Sequence, residues 1–189
     1  MMQAPSRLQG RSSQLRGGRG TSIMASVMAA RDLGDGYELD DDRDRIDLVA
    51  VHRYLCFESY WAAGRPFEVV DQQMRDSFRV VGLYCGAAQV GYCRTVSDES
   101  NLAYLADVYV LPAHRGRGLG VELVREAVVN GPPVRRWLLH TRDAHALYAK
   151  FGFGPPSDRV MELDMRDLID PDADAAAGVE ELELELGVD

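Results

Sequence analysis

The stretch LAYLADVYVLPAHRGRGLGVELVREAVV, residues 102 to 129, constrains this chain more than any other, because it dictates a strand, a tight turn and a helix in succession. Leu102 to Val110 is rich in β-branched, aromatic and large apolar residues, the composition of a buried strand. Pro112 ends it. After Arg115, Gly116, Arg117 and Gly118, the apolar residues Leu119, Leu123, Val124, Ala127 and Val128 recur at helical spacing, so a helix starts inside the glycine run.

The first turn of a helix has backbone N–H groups without partners and carries the positive end of the dipole, which attracts phosphate. Glycines let the backbone approach an anion closely and take dihedrals that a side chain disfavours. Gly116, Gly118, Leu119 and Gly120, with Arg115 and Arg117 adding charge, therefore form a candidate cradle for a pyrophosphate; a purely structural turn is the competing reading. A phosphate loop of the Walker type requires a Gly-Lys-Ser/Thr ending, which is absent. A dinucleotide fingerprint requires glycines at positions 1, 3 and 6, whereas these stand at 1, 3 and 5, and no second βαβ half is visible.

The segment resembles the coenzyme A signature of the GNAT superfamily of N-acetyltransferases, Arg/Gln-x-x-Gly-x-Gly/Ala, through Arg115, Gly118 and Gly120, preceded by Val110-Leu111-Pro112. A second signature of the same superfamily, a helix ending in Tyr-x-Lys/Arg-x-Gly-Phe, is matched by Tyr148, Lys150, Gly152 and Phe153. The resemblance covers about residues 37 to 165. It implies acetyl-CoA as cosubstrate and no metal, with pantetheine lying beside the central strand where a bulge splays it from its partner. The backbone of Val108, Tyr109 and Val110 would then face the thioester, whose oxygen their N–H groups can bond as an oxyanion hole does. Tyr148 matches the tyrosine that protonates the departing thiolate; a tyrosine packed into an amphipathic helix is the alternative. Thr141 stands where many members have a cofactor-holding Asn, which leaves a contact there open.

Asp107 interrupts the apolar run Leu105-Ala106-Asp107-Val108-Tyr109, and an acid there requires solvent, a site or partners. It is a candidate base for the acceptor amine and, equally, a structural acid bonded to neighbouring loops. Glu58, Trp61 and Arg65 lie in the helix–loop region that shapes the acceptor pocket in relatives; Trp61 reads equally well as core. His114 is expected on an exposed loop and His145 on an exposed or half-exposed helix face, and the four histidines form no metal set.

Length suits one domain. Residues 1 to 31 hold five arginines and no acid, and residues 170 to 189 hold eight acids and no base, leaving 16 basic and 22 acidic residues between them, a net charge of −6. That acidic middle disfavours nucleic acid and suits an amine-bearing acceptor. Lys150 is the only lysine beside 20 arginines, which reads as codon usage in a GC-rich, bacterial genome. Cys56, Cys85 and Cys93 have no metal spacing, and a hairpin turn within Gly86 to Gln89 keeps Cys85 from facing Cys93, so a reducing cytoplasm is expected. No apolar run reaches the ~20 residues of a membrane span.

The expected fold class is α+β, with a mainly antiparallel sheet flanked by helices in the order ααβββαβαβ after a short first strand at Tyr37 to Asp40. The first helix carries Ile46, Val49, Ala50, Tyr54 and Phe57, and the second starts at Pro66 and carries Phe67, Val70 and Met74. Strands are expected over Phe78 to Cys85, Ala88 to Val96, Leu102 to Val110, Arg135 to Thr141 and Val160 to Met165, with Asp143 as N-cap of the last helix and Gly152 as its stop. Residues 1–35 read as a disordered basic leader, 36–168 as the acetyltransferase-like domain and 169–189 as an acidic tail. The leading function is transfer of acetyl from acetyl-CoA to the primary amine of a small molecule or a peptide N-terminus. An inactive coenzyme A-binding module is the alternative, nucleic-acid binding through the leader is a third reading, and a homodimer is an open option.

Overall fold

The computed structural model describes residues 30–165. The described chain divides into two compact units, one ending at Leu139 and one beginning at His140.

The first unit is built on a six-stranded sheet whose strands lie side by side in chain order. They are β1 (Arg31–Gly34), β2 (Tyr37–Asp40), β3 (Arg79–Cys85), β4 (Ala88–Ser97), β5 (Leu102–Val110) and β6 (Arg136–Leu138). Neighbours from β1 to β5 are antiparallel, and β6 runs parallel to the first residues of β5, as the crossover through helix α3 (Leu119–Val129) requires. The sheet thus starts at Arg31, inside the segment expected to be leader. Asp35 and Gly36, at φ +53° and +77°, form a turn that needs two left-handed residues, and Asp-Gly meets that need at low strain. Between β3 and β4 the turn is Gly86-Ala87, so Cys85 faces Ala88 while Cys93 faces Val81, and all three cysteines are free thiols.

Helices α1 (Leu48–Phe57) and α2 (Phe67–Asp76) cover one face of the sheet. Ile46, Val51, Tyr54, Leu55 and Val70 pack there with Val80, Tyr92 and Tyr109, forming one core cluster. The Asp47 side chain accepts the Ala50 N–H at 2.9 Å and starts α1 at Leu48. Its inward stripe is therefore Val51, Tyr54 and Leu55, and Val49 and Phe57, expected inside, are 68% and 76% exposed. Helix α3 covers the other face with Leu119, Leu123, Val124 and Ala127, all buried. With helices on both sides, β3 is buried from Val80 to Tyr84 and reads as a continuous apolar run instead of an alternating one.

Glu126 is buried on α3 and does not face apolar groups alone. Its carboxylate takes Arg79 Nη2 at 2.8 Å and Arg31 Nε at 3.0 Å, Arg79 Nε pairs with Asp41 at 2.8 Å, and Arg31 Nη1 reaches Glu122 at 3.0 Å. These pairs tie β1, β3 and the loop after β2 to one helix.

In the second unit, α4 (His145–Tyr148) runs into a 3-10 turn over Ala149–Phe151, which exposes Lys150, and Gly152 ends it at φ +85°. The N-cap of α4 is Ala144, not Asp143, and no side chain caps the helix; the Thr141 hydroxyl accepts the Ala144 N–H at 3.1 Å just before it. The strand expected over Val160 to Met165 does not form, since a strand exists only by pairing and no ladder reaches these residues; Met161 is 96% exposed. The strand expected over Arg135 to Thr141 is reduced to the three residues of β6. Most of the expected leader and all of the acidic tail lie outside the described residues.

Removing one member of a buried ion network leaves the others desolvated and uncompensated. Arg79→Ala is expected to destabilise the fold by about 3–5 kcal/mol, measured as a lower urea midpoint with an unchanged slope.

Candidate active site

Between the pairs Tyr92–Tyr109 and Arg94–Ala106, β5 contains one residue more than β4, so a bulge sits at Asp107 and Val108 opposite Cys93. Asp107 takes φ +52°, a left-handed conformation that costs a non-glycine residue roughly 1–2 kcal/mol. Its carboxylate is bonded from three directions, which holds that conformation. Oδ2 accepts Arg94 Nε at 2.5 Å and Arg65 Nη1 at 2.9 Å, while Oδ1 accepts Trp61 Nε1 at 3.2 Å. Arg65 Nη1 also donates to Gln73 Oε1 at 2.9 Å.

Three of the expected site residues, Asp107, Trp61 and Arg65, are thus brought together. Glu58 is not among them, because it caps the C-terminal end of α1 with its side chain exposed. Arg94 and Gln73 were not singled out from the sequence. The available signal was an arginine inside the apolar strand Gly91-Tyr92-Cys93-Arg94-Thr95, which cannot be buried without a partner.

Burial by itself raises the proton affinity of Asp107, but the guanidiniums of Arg94 and Arg65 outweigh it and hold the carboxyl below its ordinary range. A carboxylate with lowered affinity for protons and three bonds already made is a poor proton acceptor. Of the two roles open to Asp107, the geometry fits the structural acid.

The end of β5 is prepared differently. Leu111 donates its N–H to Val90 O at 2.8 Å, which makes Gly91–Val110 a non-hydrogen-bonded pair and directs the Val110 N–H away from β4. On that side the ladder with β6 stops at Tyr104, and among the described residues no strand pairs with β5 beyond it. Arg115 turns back to hold this end, donating from Nε to Val110 O at 2.8 Å and from Nη2 to the Tyr54 hydroxyl at 2.9 Å. The Tyr54 and Tyr109 rings stack at 3.9 Å beneath it, and burial pushes both phenols up. Arg115, expected to add charge at the phosphates, is therefore also a clamp on the strand end.

The glycine turn follows. Gly116 and Gly118 have φ +78° and +77°, and a Cβ at either would meet no atom within 4 Å. Gly118 is the N-cap of α3 and supplies no side-chain cap; its carbonyl accepts from Val121 and Glu122, which leaves the N–H groups of Leu119 and Gly120 outside the helical pattern. Open space, first-turn donors and the exposed Arg117 fit a phosphate-bearing group. His114 points elsewhere: its Nδ1 is 2.8 Å from the Tyr37 hydroxyl, and it is half-buried where an exposed histidine was expected.

Within the second unit, Tyr148 is buried and meets Phe153 edge-on at 6.0 Å, His145 is exposed, and Thr141 is half-buried just before α4. Among the described residues, no group of three or more His, Cys, Asp or Glu side chains is placed to hold a metal ion.

Known proteins share this fold. The acetyltransferase (GNAT) domain profile matches residues 76–155. A Gibberella zeae protein provisionally named an acetyltransferase is 40% identical over 136 residues, covering 60% of this chain and 76% of the relative. A crystal structure from Xanthomonas campestris, provisionally assigned to the GNAT family, superposes with a TM-score of 0.63 at 36% identity, over 68% of this chain and 92% of that one. A GNAT family acetyltransferase from Brucella melitensis, solved in complex with acetyl-CoA, shares the fold with a TM-score of 0.51 at 19% identity, over 63% of this chain and 83% of that one.

Because the folded-state affinity of Asp107 for protons is lowered, its ion pairs stabilise the fold above the ordinary carboxylate pKa, and that stability is lost as pH falls through the lower folded value. Asp107→Asn is expected to be markedly less stable than the parent at pH 7, with the difference shrinking below about pH 4. Urea titrations of both proteins from pH 7 to pH 3 measure this, and a pH-independent difference would contradict it.

Proposed function

Because the chain belongs to the GNAT acetyltransferase family, we propose that it transfers the acetyl group of acetyl-CoA to the primary amine of a small molecule or a peptide N-terminus. The observation that supports this reading most is the pairing of two anchors on one strand–turn–helix. One is a helix N-terminus capped by a left-handed glycine with open space beside it, and the other is a Val110 N–H directed to the edge that β6 leaves.

Acetyl-CoA supplies an activated acyl group on a thiol leaving group. In this reading the N–H groups of Leu119 and Gly120, with Arg117, hold the pyrophosphate. The backbone of Val108, Tyr109 and Val110 lines the acyl end, where the Val110 N–H donates to the carbonyl oxygen as negative charge develops on it. Arg115 contributes by fixing Val110 through its carbonyl. The neutral amine attacks the carbonyl carbon and gives up a proton to solvent, and Tyr148 donates the proton that the thiolate needs as the C–S bond breaks; the support for that role is the signature Tyr148, Lys150, Gly152 and Phe153. Thr141 accepts the Ala144 N–H with one lone pair of its hydroxyl, and its O–H remains able to donate to pantetheine. Asp107 acts as a positioning residue that sets the bulge and orients Arg65 and Trp61. The free thiols of Cys56, Cys85 and Cys93 support a cytoplasmic setting.

The reading is tested by thiol release from acetyl-CoA across polyamines, aminoglycosides, amino acids and peptide N-termini. Tyr148→Phe keeps the ring and removes the proton, so turnover is expected to fall about tenfold or more with coenzyme A affinity nearly intact. Coenzyme A binding without transfer to any amine would leave an inactive binding module instead.

Gly118→Val puts a β-branched residue at φ +77° and a side chain in the open space of the cradle. The protein is expected to stay folded, with a loss of roughly 1–2 kcal/mol, and to lose coenzyme A binding by calorimetry. Unchanged affinity in the folded variant would remove the cradle from the reading.

A further inference from the structure

The cluster around Asp107 is unbalanced. Two guanidiniums, Arg65 and Arg94, share one carboxylate, so the cluster carries a net charge of +1. All three side chains are largely withdrawn from water, at 18%, 12% and 3% exposure. Its remaining partners, Gln73 and Trp61, are neutral. A buried cation without a counter-charge is costly, and the other ion networks of the sheet do not have this excess. Around α3, Arg31 and Arg79 face three carboxylates, Asp41, Glu122 and Glu126; Arg45 lies between Glu38 and Asp40.

The geometry of the donors gives the excess a direction. Arg94 uses only Nε on Asp107, and among the described residues its Nη1 and Nη2 groups have no hydrogen-bond partner. Those two nitrogens form the edge of the guanidinium that grips a carboxylate through two parallel bonds. Arg65 likewise engages only Nη1, with Nε and Nη2 unused. None of the unused donors of either arginine is both fully buried and unpartnered, so they keep some contact with solvent. The cluster stands at the β5 bulge, three residues before Val110 on the same strand.

We propose that Arg94 and Arg65 form a monoanion site that holds a carboxylate on the acceptor, so that the acceptor class is an amine that also carries a carboxylate group. This rests on the amine-acceptor reading above and narrows it. A single negative charge balances the cluster, whereas a phosphate dianion would leave it negative. Asp107 keeps the two guanidiniums in place and stops the site from accepting two anions. Trp61, bonded to the same carboxylate, fixes the wall of the site on the α1–α2 loop.

The test uses the full chain with matched pairs of α- and ω-amino acids and their carboxamides. Each pair is assayed for thiol release from acetyl-CoA and titrated calorimetrically onto coenzyme A-loaded protein. The acids are expected to exceed their amides by about tenfold or more, chiefly in KM and Kd, since the amide loses a charge-assisted pair. Arg94→Gln is expected to erase the preference, and Arg94→Lys, which keeps the charge without the fork, to retain part of it. Amides acetylated or bound as well as acids by the parent protein would overturn the proposal without need of any variant. If coenzyme A binds and nothing is acetylated, the amine-acceptor reading fails, and the calorimetric arm still decides the anion site. Preferential binding of acids there upholds it, and no binding of any acid overturns it.

Discussion

A buried carboxylate shared by two guanidiniums fixes the middle of β5, and the geometry on either side of it follows. The left-handed turn at Asp107 costs less than the charge-assisted bonds that hold it, each of which is worth about 1.5–3 kcal/mol net. With the bulge locked there, the register of β5 against β4 changes by one residue, and the strand end is set so that Val110 turns its N–H away from β4. Arg115 then closes the strand against Tyr54, and the glycine turn and α3 follow in a fixed direction. One ion cluster thereby links the α1–α2 loop and two central strands.

The two sides of the sheet use charge differently. On the α3 side, Glu126 and Arg79 join elements that are distant in sequence, and acid and base nearly balance. On the α1–α2 side the base exceeds the acid, at the position where the strand is irregular. Local irregularity and uncompensated charge coincide there, at the Asp107 bulge.

Much of this was legible in the chain before any coordinates. The apolar spacing of Leu119, Leu123, Val124 and Ala127 announces α3, and the stop at Pro112 and the glycine run place its start, because these are local effects of period and dihedral preference. The tyrosine and glycine signatures mark the family, and the antiparallel run from β3 to β5 follows from turn residues. The partners of Asp107 were not legible as a set. Arg94 is 13 residues away from it and Arg65 is 42, and no local rule states which of 20 arginines meets a given carboxylate. The Asp35-Gly36 hairpin was legible and was overshadowed by the arginine-rich, serine-rich composition before it. The missing strand at Val160 to Met165 shows the limit of alternation, which marks a residue run able to pair and not the presence of a partner.

Lys150, exposed on the 3-10 turn after α4, has a consequence for the protein's own covalent chemistry. A guanidinium stays protonated at any physiological pH and offers no lone pair to a thioester, whereas an ε-ammonium can deprotonate and react. With 20 arginines and one lysine, this chain presents a single side-chain amine to the acetyl donor it is built to bind. Acetylation of a side-chain amine, were it to occur, could fall only on that one position. Amine-directed labels and cross-linkers, which scatter over most proteins, would among side chains report on the same turn.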